Sequence, residues 1–114
     1  TERNNLLTSC RLNAAACWLK LGKPIKAESN CTEVLHLDEN NVKALFRRAS
    51  ARFELKQLDS AMEDVTAALK LDPQGKAALK LSKKIQKALD KRKAAKKKMA
   101  SKMFGGKKKA KAKQ

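Results

Sequence analysis

Glycine and proline are scarce in this chain, with 4 Gly and 2 Pro among 114 residues. Apolar residues recur every three or four positions between these few breaks, and that spacing favours an all-α chain. Long apolar runs are missing as well, and none approaches the roughly 20 residues that a membrane-spanning helix needs. We therefore expect a helical chain without a membrane span.

Cysteine and histidine are too few for most kinds of site chemistry. The three cysteines, Cys10, Cys17 and Cys31, are odd in number and lack paired spacing, so the sequence does not predict a disulfide framework. We interpret them as small buried apolar residues in a reducing compartment. His36 has no candidate partner, and no metal-ligand set, phosphate loop or nucleophile with a base is present. We expect a chain that binds rather than catalyses, without metal or cofactor.

Acidic residues are almost absent from one end of the chain. The net charge is +17, from 28 Lys and Arg against 11 Asp and Glu. Residues 1–79 contain 12 basic and 10 acidic residues, a net charge of +2, whereas residues 80–114 contain 16 and 1, a net charge of +15. The basic character therefore belongs to the C-terminal third.

The rest of the chain repeats itself with a period of 34 residues. Seven pairs keep this register: Ala15 and Ala49, Leu21 and Leu55, Ala27 and Ala61, Thr32 and Thr66, Leu35 and Leu69, Leu37 and Leu71, Asp38 and Asp72. A period of 34 is typical of the tetratricopeptide repeat (TPR), a helical hairpin that stacks into a solenoid. We expect an all-α TPR solenoid of two hairpins, at about 8–41 and 42–75, followed by a long C-terminal helix.

Helix signals place the elements of this solenoid. We predict a first helix over about 4–21, with an inward stripe of Leu7, Cys10, Ala14, Cys17, Trp18 and Leu21. Gly22 suits the end of this helix, Pro24 the start of the next, and Asn41 the N-cap of the third. The alanines at 15, 27, 49 and 61 should allow close helix contact.

The basic C-terminal helix is predicted to divide into two parts. Over 76–104 it should carry a capping stripe of Leu81, Ile85 and Leu89, and the part beyond Asp90 should project into solvent. Gly105-Gly106 should end the helix, and a disordered Lys-rich tail is expected at 105–114.

One cluster in the repeats suits a carboxylate. Asn13 and Arg47 are 34 residues apart and so occupy equivalent positions on the first helices of the two hairpins, and Lys43 lies one turn before Arg47. Such helices line the concave side of the solenoid and pack about 8–10 Å apart. An amide, an ammonium and a guanidinium would thus face one groove, a set that favours a C-terminal carboxylate beside acidic side chains. The alternative is that Lys43, Arg47 and Arg48 form a solvated helix face.

Two segments resemble a known family. The run Cys10-Arg11-Leu12-Asn13-Ala14-Ala15-Ala16-Cys17-Trp18-Leu19-Lys20-Leu21-Gly22 resembles the second TPR of the large FKBP-type immunophilins, which are peptidyl-prolyl isomerases (rotamases). Lys43-Ala44-Leu45-Phe46-Arg47-Arg48-Ala49 is similar to their third repeat, and Lys102-Met103-Phe104 to an element near their C-termini.

The resemblance implies a co-chaperone module. It assigns Asn13, Lys43 and Arg47 to a clamp for the Met-Glu-Glu-Val-Asp terminus of heat-shock protein 90, or the related terminus of heat-shock protein 70. The expected location is the cytoplasm, with the nucleus as a second location. The family places a further Lys and Asn on the first helix of the first repeat, and the isomerase domain further upstream. Thr1 directly abuts helical sequence with no Met start or signal-like leader. We therefore expect a fragment with an incomplete clamp and no isomerase activity.

The basic end has four possible roles. The alternatives are a capping helix with solvated lysines, a calmodulin target, a nucleic-acid-binding segment and an anionic-membrane contact. Because the tail lacks interleaved aromatic residues, nucleic-acid binding is not favoured and should be non-specific and salt-sensitive. Candidate contacts with calmodulin or an anionic surface are Lys96, Lys97, Lys98, Met99, Met103 and Phe104.

Two rival functions remain for the whole chain. One is a TPR adaptor of another chaperone-linked class, such as a phosphatase or ubiquitin-ligase module. The other is a basic nucleic-acid-binding protein, for which salt-dependent binding by the tail alone would be diagnostic.

Overall fold

The computed structural model describes residues 2–113, with side chains over residues 2–103. The described chain forms five α-helices, as the sequence predicted. They are α1 (Glu2–Lys20), α2 (Pro24–Leu37), α3 (Val42–Glu54), α4 (Leu58–Leu71) and α5 (Lys76–Lys113). In this part of the chain, none of the helices combines the length and apolar character needed to cross a membrane.

The helices pack in chain order, as expected of a solenoid. Each helix contacts the next one along the chain. Within the described residues, smaller contacts also join α1 to α3 and α3 to α5. Short turns make consecutive helices antiparallel, so α1 with α2 and α3 with α4 form two hairpins. Helix α3 is central and is buried on two sides.

Small residues bring the helices together. Ala15, Ala27, Ala49 and Ala61, the four alanines that the repeat predicted at close contacts, are all fully buried. A larger side chain at these positions would force the helices apart. The prediction missed Ala44 and Ala51, which are also fully buried because α3 packs against helices on both sides.

The predicted helix boundaries are largely confirmed. Asn41 caps α3, its side chain accepting a hydrogen bond from the backbone N–H of Ala44 at 2.9 Å. Gly22 has a φ of 73°, a left-handed conformation that glycine adopts without strain, and Pro24 begins α2. The equivalent of Gly22 in the second hairpin is Lys56, which has a φ of 66° despite its side chain.

The predicted inward stripe of α1 is wrong. Cys10 and Cys17 are exposed, as are Leu7 and Leu21, whereas Leu12 and Ala15 are the buried residues. Trp18 packs partly against the core, as predicted. Apolar residues surround most of α1, so their period could not specify which face meets α2 and α3.

Helix α5 covers the end of the second hairpin, as predicted. Leu81 and Ile85 are buried, and Leu89 packs against the same cluster, which includes Val65 of α4. Residues 91–103 are all exposed. One contact extends the docking by a turn, because Arg92 binds Asp59 of α4 at 3.1 Å.

The helix end predicted at Gly105-Gly106 is wrong, because α5 extends to Lys113. Lysine and alanine predominate near this pair and favour helix, and each glycine costs only about 1 kcal/mol relative to alanine. The predicted disorder at 105–114 concerns residues outside the fully described part, and it stays a prediction.

Candidate functional site

Arg47 links the first helices of the two hairpins. Its Nη1 donates a hydrogen bond to the backbone carbonyl of Leu12 at 2.8 Å. Leu12 directly precedes Asn13 in α1, so the half-buried guanidinium lies at the turn that carries Asn13. This bond joins α3 to α1 one residue before Asn13, the position that the 34-residue period makes equivalent to Arg47.

The other two predicted clamp residues are open to solvent. Asn13 and Lys43 are both exposed, and neither side chain takes part in a hydrogen bond or ion pair within residues 2–103. Lys43 lies one helical turn before Arg47 on α3. Arg47 uses one of its five N–H donors on Leu12, so the rest remain for a ligand. The set can bind a carboxylate through charge-assisted hydrogen bonds, and its role as a clamp stays a prediction.

Arg48, next in sequence, has a different and structural partner. Its Nε and Nη2 donate to the two carboxylate oxygens of Asp64 in α4, each at 2.8 Å. This hydrogen bonding with Asp64 is the main cause that raises the pKa of Arg48 above its ordinary value. Arg48 therefore does not belong to a solvated face, the alternative that the sequence left open for it.

The same carboxylate also binds a second arginine. Arg52 donates to Asp64 from Nη1 at 3.0 Å and to Glu28 in α2 from Nε at 2.7 Å. The polar network (Glu28, Arg48, Arg52 and Asp64) thus joins α2, α3 and α4. Sequence reasoning missed it, although a signal existed: Asp64 lies within the apolar stripe of α4, at the spacing of Ala61, Val65 and Ala68.

The cysteines differ from the prediction that all three are buried. Only Cys31 is buried, and burial raises its pKa from 9.0 to about 11. Cys10 and Cys17 lie exposed on α1. Among the residues that the structure describes, no cluster of His, Cys, Asp and Glu could hold a metal ion.

The predicted contact residues of the basic end lie on a different helix from the predicted clamp residues. Lys96, Lys97, Lys98, Met99 and Met103 are all exposed on α5, beyond the docked part of that helix. Phe104, the sixth predicted contact, lies outside the described side chains. The basic end and the predicted clamp residues therefore lie on different helices.

Two curated relatives are immunophilins, although no protein-family model matches the chain. The peptidyl-prolyl cis-trans isomerase FKBP42 of Arabidopsis thaliana is 48% identical over 68 residues, which is 60% of this chain and 19% of that protein. The FK506-binding protein 59 of Drosophila melanogaster is 38% identical over 77 residues, 68% of this chain and 18% of that protein. The chain thus spans about a fifth of the length of these relatives.

Solved TPR domains share the fold. The C-terminal TPR-containing domain of a putative FK506-binding protein of Plasmodium falciparum is 30% identical, with a TM-score of 0.78 over 80% of this chain and 60% of that one. The first TPR of Spaghetti (RPAP3), bound to the HSP90 peptide SRMEEVD, is 34% identical, with a TM-score of 0.71 over 73% and 66%.

The second TPR domain of human RPAP3, in complex with the HSP70 peptide SGPTIEEVD, is 35% identical, with a TM-score of 0.67 over 69% of this chain and 66% of that one. The sequence relatives and the solved domains agree on one module. The chain is therefore a TPR domain, and its curated relatives are FKBP-type immunophilins.

Proposed function

We propose that this chain binds the acidic C-terminal peptide of a heat-shock chaperone, HSP90 or HSP70, through Asn13, Lys43 and Arg47. One observation carries the proposal: the 2.8 Å hydrogen bond from Arg47 to Leu12 sets a guanidinium beside the Asn13 turn of α1. The pair meets where the two hairpins adjoin, with Lys43 one turn away. A carboxylate there would receive hydrogen bonds from both hairpins.

The peptides held by similar domains fit this chemistry. SRMEEVD and SGPTIEEVD, bound by the two RPAP3 domains, share the ending Glu-Glu-Val-Asp. That ending presents a main-chain carboxylate directly beside an acidic side chain. Two carboxylates close together match a site with an amide, an ammonium and a guanidinium.

Titration of SRMEEVD into the 114-residue chain tests the proposal. Charge-assisted hydrogen bonds are worth about 1.5–3 kcal/mol each, so Lys43→Ala and Arg47→Ala should each weaken binding about tenfold or more. Arg92→Ala removes an arginine far from the groove and serves as the matched control. A C-terminally amidated peptide should bind much more weakly than the free acid.

Folding effects can be separated from binding effects. Arg47→Ala also removes the bond to Leu12, whereas Asn13 and Lys43 have no partner to lose within residues 2–103. Asn13→Ala and Lys43→Ala should therefore keep the melting temperature of the parent while lowering the affinity for the peptide. Unchanged affinity in both, or equal affinity for the amidated peptide, contradicts the clamp.

We further propose that the full-length protein is a peptidyl-prolyl isomerase (rotamase) that acts in the cytoplasm, and that this segment contributes binding alone. The support is the similarity to FKBP42 and FK506-binding protein 59. A prolyl-peptide isomerisation assay on the 114-residue chain should show no turnover. Fluorescence microscopy of the tagged full-length protein tests the location, nuclear signal being the alternative.

Calmodulin remains a predicted partner of the basic end. The exposed Met99 and Met103 beside Lys96, Lys97 and Lys98 are the residues that would contact it. Calcium-dependent co-elution with calmodulin, lost when the chain stops after Leu89, would support this partner.

A further inference from the structure

The docked face of α5 continues beyond the domain. Met99 and Met103 follow Leu81 and Ile85 by 18 residues, which is five turns of 3.6 residues, so the two pairs share one face of the helix. Leu81 and Ile85 are 8% and 0% exposed, whereas Met99 and Met103 are 66% and 74% exposed. The same face is therefore buried at one end of α5 and uncovered at the other.

The uncovered part of α5 begins beyond the N-terminal end of α4, against which the helix docks. Arg92 binds Asp59, which lies in the first turn of α4. Residues 93–103 are all exposed, and their side chains form no hydrogen bond or ion pair within residues 2–103. This basic segment (residues 91–103) spans about 20 Å of helix at 1.5 Å per residue. Within residues 2–103, its methionines are left largely uncovered.

The segment has charge of one sign only. The sequence contains no acidic residue after Asp90. Seven of the thirteen residues are basic, and all are exposed: Lys91, Arg92, Lys93, Lys96, Lys97, Lys98 and Lys102. At 100° per residue these side chains point to nearly all sides of the helix. Any partner must therefore be strongly anionic and must also accept two methionines.

We infer that the basic segment binds the surface of an anionic phospholipid bilayer, with Met99 and Met103 inserted among the headgroups. Such a helix lies in the plane of the interface, its lysines reaching outward to the lipid phosphates along their apolar stems. Clusters of four to eight basic residues bind anionic lipid, and the segment has seven. This inference goes beyond the proposed function and uses none of the groove residues.

The observations favour a lipid surface over a protein groove. A helix held in a groove uses apolar anchors over two turns or more, but Arg92 and Lys96 interrupt the face between Leu89 and Met99. Two flexible methionines one turn apart offer little to a shaped groove, whereas a fluid interface needs no shape match. Single-stranded nucleic acid is less favoured, because residues 91–103 contain no aromatic side chain on which bases could stack.

Cosedimentation of the 114-residue chain with vesicles tests the inference. We expect binding to phosphatidylcholine vesicles that contain 30% phosphatidylserine, and no binding to phosphatidylcholine alone. A lysine near an anionic surface is worth about fivefold in affinity, so Lys97→Gln with Lys98→Gln should weaken binding about 25-fold. Lys20→Gln with Lys23→Gln changes the net charge equally on the repeats and should have little effect.

The methionines need their own pair of variants. Met99→Ser with Met103→Ser keeps the charge and should weaken vesicle binding severalfold. Leu6→Ser with Leu21→Ser alters two exposed leucines, one on α1 and one in the turn that follows it, and serves as the control. Absence of binding to the phosphatidylserine vesicles overturns the inference, as does equal binding by the methionine variant. Tighter binding of calcium-loaded calmodulin or of duplex DNA, in a competition with the same vesicles, also overturns it.

Discussion

Arg48 and Asp64 form a bidentate salt bridge across the α3–α4 hairpin, with both N···O distances at 2.8 Å. The Asp64 side chain is only 6% exposed, and Arg52 binds it as well. A buried carboxylate is costly unless it is paired and hydrogen-bonded. Two arginines on α3 meet this need, so the polar network fixes the register of α3 against α4.

Asp64→Asn should destabilise the domain strongly. The change leaves Arg48 without its anion in a largely buried site and leaves Arg52 with Glu28 alone, and breaking a buried pair costs about 3–5 kcal/mol. Asp59→Asn is the matched control, because Asp59 is 77% exposed and its bond to Arg92 is worth at most about 1 kcal/mol. Urea unfolding measures both, and a similar loss in the two variants would show that the network contributes no more than a surface pair.

Lys56→Gly should stabilise the domain. Lys56 has a φ of 66°, and a left-handed residue with a side chain costs about 1–2 kcal/mol. Glycine removes this strain but loses more entropy on folding, so we expect a net gain of about 0.5–1 kcal/mol.

Gly22→Ala is the reciprocal variant at the equivalent turn and should destabilise. A Cβ at Gly22 would meet no atom within 4 Å, so any loss there comes from the backbone conformation alone. Thermal unfolding of both variants checks the pair. A lower melting temperature for Lys56→Gly would mean that its side chain stabilises the turn.

Helix α5 should stabilise the fold through its first half only. Ile85 is fully buried, so Ile85→Ala should lower the free energy of unfolding by about 2–5 kcal/mol. A chain that stops after Arg92 should lose almost nothing. One that stops after Leu89 should lose less than about 1 kcal/mol, the worth of the exposed pair with Asp59. Unfolding of either truncated chain at 25 °C would contradict this division.

Cys31 should link stability to high pH. Burial raises the pKa of the Cys31 thiol in the folded chain from 9.0 to about 11, because the buried site favours the neutral thiol over the thiolate. The folded chain therefore keeps its full stability below pH 9, and it loses stability as the pH rises from 9 to 11. The loss should reach about 2–3 kcal/mol, because one pKa unit corresponds to 1.36 kcal/mol. Urea unfolding of the parent and of Cys31→Ala should diverge over this range, and parallel pH dependence would contradict the assignment. A thiol reagent should label two cysteines in the folded chain and the third only after unfolding.

The fold was predictable where repeat register and helix spacing agree. The 34-residue period located the four buried alanines and the meeting of α1 with Arg47, and helix signals located Asn41 and Gly22. On α4, Ala61 is fully buried, as its place in the repeat predicted. The spacing on α5 specified Leu81 and Ile85 equally well.

The errors have physical causes in particular residues. Helix α1 has leucine, alanine or cysteine on most of its circumference, and only its contacts with α2 and α3 select Leu12 and Ala15 over Leu7 and Cys10. The polar network depends on pairing between helices, since Arg48 and Asp64 are 16 residues apart and no local rule relates them. The inward position of Asp64 on α4 was the available clue.

The hydrogen bond from Arg47 to Leu12 affects how firmly the two hairpins are held together. A peptide carboxylate that binds Arg47 is connected through that guanidinium to the backbone of α1. Ligand occupancy and the cohesion of the two hairpins are then linked by mass action, so each favours the other to the same extent. A bound chaperone tail would stabilise the contact between the two hairpins. The force needed to pull the hairpins apart would then rise with the affinity for that tail.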